Sequence, residues 1–189
     1  KSDFYQTPNM QRIAKNGMRF TNGYAPAPYC CPTRRSITIG QTPAKHEYQR
    51  DREGWTDKYR EQLSIPRMLK QVDPDYITAH FGKWDARYDE VTPAEMGYDV
   101  SDGYTDNGTG GGRRSDWPKA MDDPKLIFSL TDRACSFVEK QTSDGKPFYL
   151  QLSHYAVHLG MTFTSESIEK YQNAIPGEKH FIPEFAAMT

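Results

Sequence analysis

Pro124-Lys125-Leu126-Ile127-Phe128-Ser129-Leu130-Thr131-Asp132-Arg133-Ala134-Cys135-Ser136-Phe137-Val138 continues to about Thr142, passes Gly145 and enters Phe148-Tyr149-Leu150-Gln151-Leu152-Ser153. In the first part Ile127, Phe128, Leu130, Thr131, Ala134, Cys135, Phe137 and Val138 form a broad apolar face at helical spacing, which predicts a helix. Asp123, just ahead of Pro124, reads as its N-cap rather than as half of an Asp122-Asp123 metal pair. Cys135, inside the apolar pattern, is expected to be a small buried hydrophobe. The second part alternates apolar and polar side chains and reads as a strand. A similar pair precedes it. Ser64 caps a helix carrying Ile65, Met68, Leu69 and Val72, Asp73-Pro74-Asp75 breaks it, and the β-branched and aromatic run Tyr76-Ile77-Thr78-Ala79-His80-Phe81 ends at Gly82. Helix, strand, helix, strand implies right-handed crossovers, hence an α/β fold with a mainly parallel sheet flanked by helices.

In such sheets ligands gather beyond the carboxyl ends of the strands. Lys83 and the segment from His154 to His158 lie just past two of those ends. A third stretch belongs with them: Tyr29-Cys30-Cys31-Pro32-Thr33-Arg34-Arg35-Ser36 reads as a loop-to-helix junction. Pro32 suits a first helical turn because its missing N–H would lack a partner there anyway; Thr33 to Ile39 continue the helix and Gly40 stops it. Cys30 then stands just before the helix, where first-turn N–H groups and the dipole favour an anion, and Arg34, one turn in, reaches back to share that charge.

The remaining chain is loop-rich. Of 189 residues 36% are apolar, Gly and Pro number 14 and 13, and mean hydropathy is −0.85. A single domain of this length buries roughly two thirds to three quarters of its unfolded surface. The net charge of −1 argues against nucleic acid as a partner. No apolar run reaches the ~18 residues of a membrane span and no signal peptide opens the chain. Three cysteines, two of them adjacent, imply neither a disulfide framework nor a zinc finger. Thr7, Pro8, Ile13, Ala14 and Gly17 describe a short helix with Ile13 and Ala14 inward, followed by a strand around Arg19 to Tyr24. Gln41 to Gln62 is polar and without structure, and Asp85 to Met121 shows little periodicity. Thr105 to Gly112 reads as a plain surface loop, Arg113-Arg114 as a solvated pair, and His46 and His180 as surface residues.

Cys30-Cys31-Pro32-Thr33-Arg34, followed by Ser36-Ile37-Thr38-Ile39-Gly40, resembles the Cys-x-Pro-Ser/Thr-Arg signature of the formylglycine-dependent sulfatases, in the alkaline phosphatase superfamily. Thr7-Pro8-Asn9-Met10 to Tyr24, His80-Phe81-Gly82-Lys83-Trp84, Gly97-Tyr98-Asp99 and Pro147 to His158 resemble further segments of that family, in the same order. The resemblance implies an alkaline-phosphatase-like fold. It also implies that residues 1–189 are part of the catalytic sulfatase domain, lacking the first metal-binding strand and the C-terminal portion.

By the same resemblance Cys30, not Cys31, is converted to formylglycine by a formylglycine-generating enzyme, and its hydrated aldehyde supplies the nucleophile. Arg34 neutralises that region, Lys83 contacts the sulfate oxygens and His158 handles the proton. His154 is its rival and a candidate substrate contact. Asp85 stands where the family has a histidine and becomes a candidate for binding cationic or hydroxyl groups. Calcium is expected to contact the modified Cys30, its other ligands lying outside this chain. The implied substrate is a sulfated carbohydrate or aryl sulfate, and the implied location periplasmic or secreted. Phosphonate or phosphodiester hydrolysis, or an inactive truncated domain, are the alternatives.

Overall fold

The sheet that organises the site is fully parallel. In a computed structural model, which describes residues 2–46, 55–84, 90–110 and 118–188, β1 (Ile77–Gly82) lies between β2 (Val100–Ser101) and β4 (Phe148–Ser153). Ile77 is in register with Phe148 and Gly82 with Ser153, so β1 and β4 end side by side. β2 pairs through Ala79↔Val100 and His80↔Ser101. Both long strands and their parallel relation match the sequence reading. β2 carried no signal: at two residues it has no periodicity, and its position follows from its ladder with β1.

Alternate residues of β1 face different layers. On one face the 17-residue helix α6 (Ile127–Ser143) packs with Phe137 edge-on to Phe81 and Phe148, at ring distances of 5.9 and 5.8 Å. Leu130 and Ala134 are buried beside it. On the other face Trp84, Val91, Met96 and Tyr98 form a core with Ile39 of α2 (Cys30–Ile39) and Tyr59 of α4 (Trp55–Arg60). Ser64 caps α5 (Ile65–Val72) by accepting from Arg67 N at 3.3 Å, as the sequence implies. Lys70 on that helix donates to Asp99 Oδ1 at 2.5 Å, while Asp99 Oδ2 receives Thr78 N at 2.8 Å. Gly97-Tyr98-Asp99 thereby clamps the start of β1, and Tyr98 OH reaches Gln151 on β4 at 2.6 Å.

These elements belong to one of two compact units, comprising Ala25–Gly110 and Ser129–His154; the chain up to Tyr24, the stretch leading to Phe128 and Tyr155 onward make the other. In that second unit β3 (Lys119–Ala120) pairs in parallel with β5 (Thr162–Phe163). Phe4, Tyr171 and Ala186 form one small core, with Tyr171 on α7 (Ser165–Gln172) and Ala186 on α8 (Pro183–Ala187). The helix expected from Pro124 begins only at Ile127, because Pro124–Leu126 is a 3-10 turn with Lys125 at φ 56°; Asp123 makes no side-chain cap bond to that turn, and its Oδ1 instead accepts from Phe128 N in the first turn of α6 at 2.9 Å.

Several expectations fail. α1 (Pro8–Asn16) forms, but it buries no residue and Ile13 is 71% exposed. Arg19 to Tyr24 makes no strand: Thr21-Asn22 turns, and no described strand offers the ladder an isolated strand needs. Gln41 to Gln62 contains α3 (Pro43–His46) and α4. His46 is buried, not superficial, because its Nε2 pairs with Ser36 Oγ at 3.0 Å. Burial and the nearby Arg35 hold its pKa below the ordinary histidine value. Arg35 itself is buried with its guanidinium 4.0 Å above the Tyr59 ring. Cys135 is exposed, since the buried stripe of α6 follows Leu130, Ala134 and Phe137, and Cys135 lies one position past it. His180 is half-exposed and bound to Asp3 at 2.9 Å. Asp85, Arg113-Arg114 and the end of the glycine-rich loop at Gly111-Gly112 lie outside the described residues.

Candidate active site

α2 starts two residues earlier than Pro32 suggests. Tyr29 is its extended N-cap (φ −123°, ψ 152°), and Cys30 is its first residue. Pro32 takes the third position, which still lies among the residues whose N–H has no acceptor inside the helix. The first intrahelical bond runs from Thr33 N to Tyr29 O at 3.4 Å, so the proline removes no hydrogen bond. Thr33 Oγ1 donates to Ala27 O at 3.0 Å and ties the preceding loop to the turn. Cys30 is partly exposed and Cys31 buried, with their sulfurs 4.0 Å apart, about twice a disulfide bond length. Of the two thiols, Cys30 is the accessible one.

Four residues on, Arg34 shares the face of Cys30 and donates through Nη1 to the carbonyl of Lys83 at 2.6 Å. This charge-assisted bond fastens the nucleophile helix to the end of β1. Lys83 is itself 2% exposed, and its amide donates to Ser153 O at 2.8 Å. The exit from β1 is fixed at each atom. Gly82 has φ +92°, and a Cβ there would sit 2.1 Å from Ser153 O, so only glycine fits. Asp102 Oδ2 receives Gly82 N at 2.7 Å while its Oδ1 pairs with Arg133. Thr105 Oγ1 donates to Gly82 O at 2.6 Å and accepts from Trp84 N at 2.9 Å.

His80, one pleat before Gly82, is fully buried between the rings of Trp84 and Tyr98, at 5.0 and 5.6 Å. Neither ring nitrogen has a hydrogen-bond partner. Burial first, then the Arg34 charge, pushes its pKa down to about 4 against the opposing pull of Asp102, so the ring is neutral at physiological pH. The sequence offers no signal for this, since a histidine in an otherwise apolar strand reads the same on either face. Asp102 was equally silent, in a stretch without periodicity.

The structure therefore places Cys30 and Arg34 one turn apart on α2, joins Arg34 to the backbone of Lys83 at the end of β1, and by the strand register sets His154 beyond β4 beside Lys83 beyond β1. His154 is half-buried, its Nδ1 is buried without a partner, and burial lowers its pKa. His158 belongs to the other unit, where it is exposed, with Nδ1 3.4 Å from Leu159 O. Among the described residues no three His, Cys, Asp or Glu side chains converge to hold a metal. The described residues thus present no cluster from which a calcium ion could draw its six to eight oxygens.

The sulfatase family model matches residues 2–181. The chain belongs to the sulfatase family. This sulfatase chain is 31% identical over 169 residues to an N-acetylglucosamine-6-O-sulfatase of Bacteroides thetaiotaomicron, a match covering 81% of the chain and 26% of that protein. It thus spans about a quarter of the length of that relative. Its fold is similar to the crystal structure of Ps i-CgsB in complex with k-i-k-neocarrahexaose, with a TM-score of 0.72 at 20% identity, over 99% of this chain and 47% of that one. A structure in complex with its substrate D-glucosamine-2-N,6-O-disulfate aligns with a TM-score of 0.65 at 24% identity, over 94% of the sulfatase chain and 35% of the other. The parallel sheet with flanking helices is accordingly part of the sulfatase fold.

Proposed function

We propose that this chain carries the nucleophile-bearing part of an enzyme that hydrolyses sulfate esters of carbohydrates, with Cys30 as the reacting position. The observation that carries the reading is the bond from Arg34 to the Lys83 carbonyl, which couples the first turn of α2 to the end of β1. That coupling sets an accessible residue at a helix N-terminus on the same face as a guanidinium and next to the backbone of Lys83, an arrangement suited to an anionic ester and to charge developing on its oxygens. Relatives named for sugar sulfates, and a similar fold solved with a sulfated glucosamine, support the substrate class.

Formylglycine at Cys30, once hydrated, would supply an oxygen nucleophile and a second hydroxyl through which the sulfate is released. Arg34 holds negative charge at that position and keeps α2 in place. Lys83 binds the sulfate oxygens, and His154 and Asp85 contact the sugar. By the family resemblance His158 exchanges the proton, histidine being the commonest general acid and base. Calcium finds no ligand set among the described residues. No described helix is long and apolar enough to cross a membrane. Export to the periplasm or the exterior is carried over from the family resemblance.

Intact-mass measurement after co-expression with a formylglycine-generating enzyme tests the proposal. Conversion of the thiol-bearing carbon to an aldehyde loses sulfur and two hydrogens and gains oxygen, a fall of about 18 Da, and peptide mapping is expected to place the loss on Cys30 alone and to find none in Cys30→Ala. The converted protein is expected to cleave an aryl sulfate faster than the matching aryl phosphonate. A loss mapped to Cys31, or conversion without sulfate release, overturns the reading.

A further inference from the structure

In the unit that contains β5, a cavity of about 180 Å³ has walls that include Lys125, Phe128, Thr162, Thr164, Ser167 and Met188, none of them from the Cys30 region. Three features point to an acidic ligand. Thr162 is 2% exposed, and its Oγ1 is buried without a hydrogen-bond partner, a donor and acceptor set in the wall while its backbone is held in register with Lys119. Lys125, also 2% exposed, lines the cavity and donates from Nζ to Leu159 O at 3.0 Å. The third is the start of α7, an eight-residue helix whose N-cap Thr164 accepts from Ser167 N at 3.1 Å and whose other first-turn amides lack helical acceptors.

Lys125 and Leu126 both stand in the left-handed region, at φ 56° and 53°. Two such non-glycine residues in succession persist only where their surroundings hold them, a condition met at ligand clamps. Burial lowers the pKa of Lys125, and a bound anion would act in the opposite direction by favouring the ammonium form. Size and lining narrow the ligand class. A cavity of about 150 Å³ accepts a benzene ring, so this one takes a single six-membered ring and not a disaccharide. Phe128, 51% exposed, and Met188 offer an apolar wall to one ring face, while Thr162 in the same wall keeps a hydroxyl without a partner for one of a sugar's own hydroxyls.

We propose that this cavity binds one sugar ring carrying a single acidic group, either free or as the terminal unit of a chain. The carbohydrate class rests on the function proposed above; the site itself requires no chemistry at Cys30. The probe is D-glucuronate, which bears no sulfate ester, read through the methyl NMR signals of Ala156, Thr162 and Met188. Saturable shifts are expected, with D-glucose and benzoate binding at least tenfold more weakly. Thr162→Val should weaken glucuronate at least fivefold, Thr162→Ser should restore it, and Cys30→Ala should leave it unchanged. Comparison with a glucuronate-terminated tetrasaccharide separates the sources: saturation by both assigns a chain terminus, and saturation by the monosaccharide alone assigns a free sugar. The inference is overturned if glucuronate produces no saturable shift, if glucose or benzoate binds as tightly, or if Thr162→Val is without effect. Sulfate ester hydrolysis, assayed separately, can fail without moving any of these readouts.

Discussion

His80→Phe isolates the cost of keeping a buried imidazole neutral. The phenyl ring can occupy the same edge-on site against Trp84 and Tyr98, and it removes two ring nitrogens that have no partner. At pH 7 the variant should therefore equal or exceed the native protein in stability. Lowering the pH separates them. The native-state pKa of about 4 lies below the ordinary 6.5, so from pH 6.5 down to 4 the unfolded chain binds the proton that the folded one refuses. Stability contributed by the neutral ring is complete above 6.5 and falls as pH drops through that window, reaching a total loss of about 3 kcal/mol. Between pH 7 and pH 5 the loss is about 2 kcal/mol. Urea unfolding of both proteins at the two pH values should show the variant's advantage growing by that amount, while the remaining titrating groups, common to both, cancel. A gap that stays constant between pH 7 and pH 5 refutes the claim that burial and Arg34 keep His80 unprotonated.

Gly82→Ala combines a backbone at φ +92° with a Cβ 2.1 Å from Ser153 O, and should cost more than about 3 kcal/mol in thermal unfolding. Gly145→Ala, also at positive φ but with no atom within 4 Å of the added carbon, should cost only about 1 kcal/mol. Arg34→Gln removes the 2.6 Å bond to Lys83 O and should destabilise by about 2 kcal/mol. It should also raise the pKa of His80 measured by NMR, because a positive neighbour is gone. Asp3, held down to about 2 by the amide of Lys179 and by His180, should show its carboxyl carbon titrating near that value. Its stabilising contribution is complete above the ordinary carboxylate pKa and lost as pH falls through 2, so native and Asp3→Asn proteins should converge in that window.

The parts of the fold legible in the sequence are those whose signal is local and repeated. Ser64 as a cap, the strands around Ile77 and Phe148 and the parallel relation between them follow from capping, periodicity and crossover geometry alone. The Cys30–Arg34 spacing gives one helical turn, which sets both residues on one face of α2. The errors fall where local pattern and burial part company. Ile13 sits in a well-formed helix and is still exposed, while Cys135 misses the buried stripe of α6 by one position.

Sequence by itself determined which segments become helices and strands at the site and placed Lys83 and His154 past strand ends, because propensity and periodicity act over a few neighbouring residues. Only tertiary structure decided that Arg34 grips the Lys83 carbonyl, that Asp102 and Thr105 seal the exit of β1, and that His80 is buried without a partner. Those contacts join residues 20 to 49 positions apart. Nothing in the local chain encodes such a meeting; it exists once the parallel ladder has fixed where each strand ends.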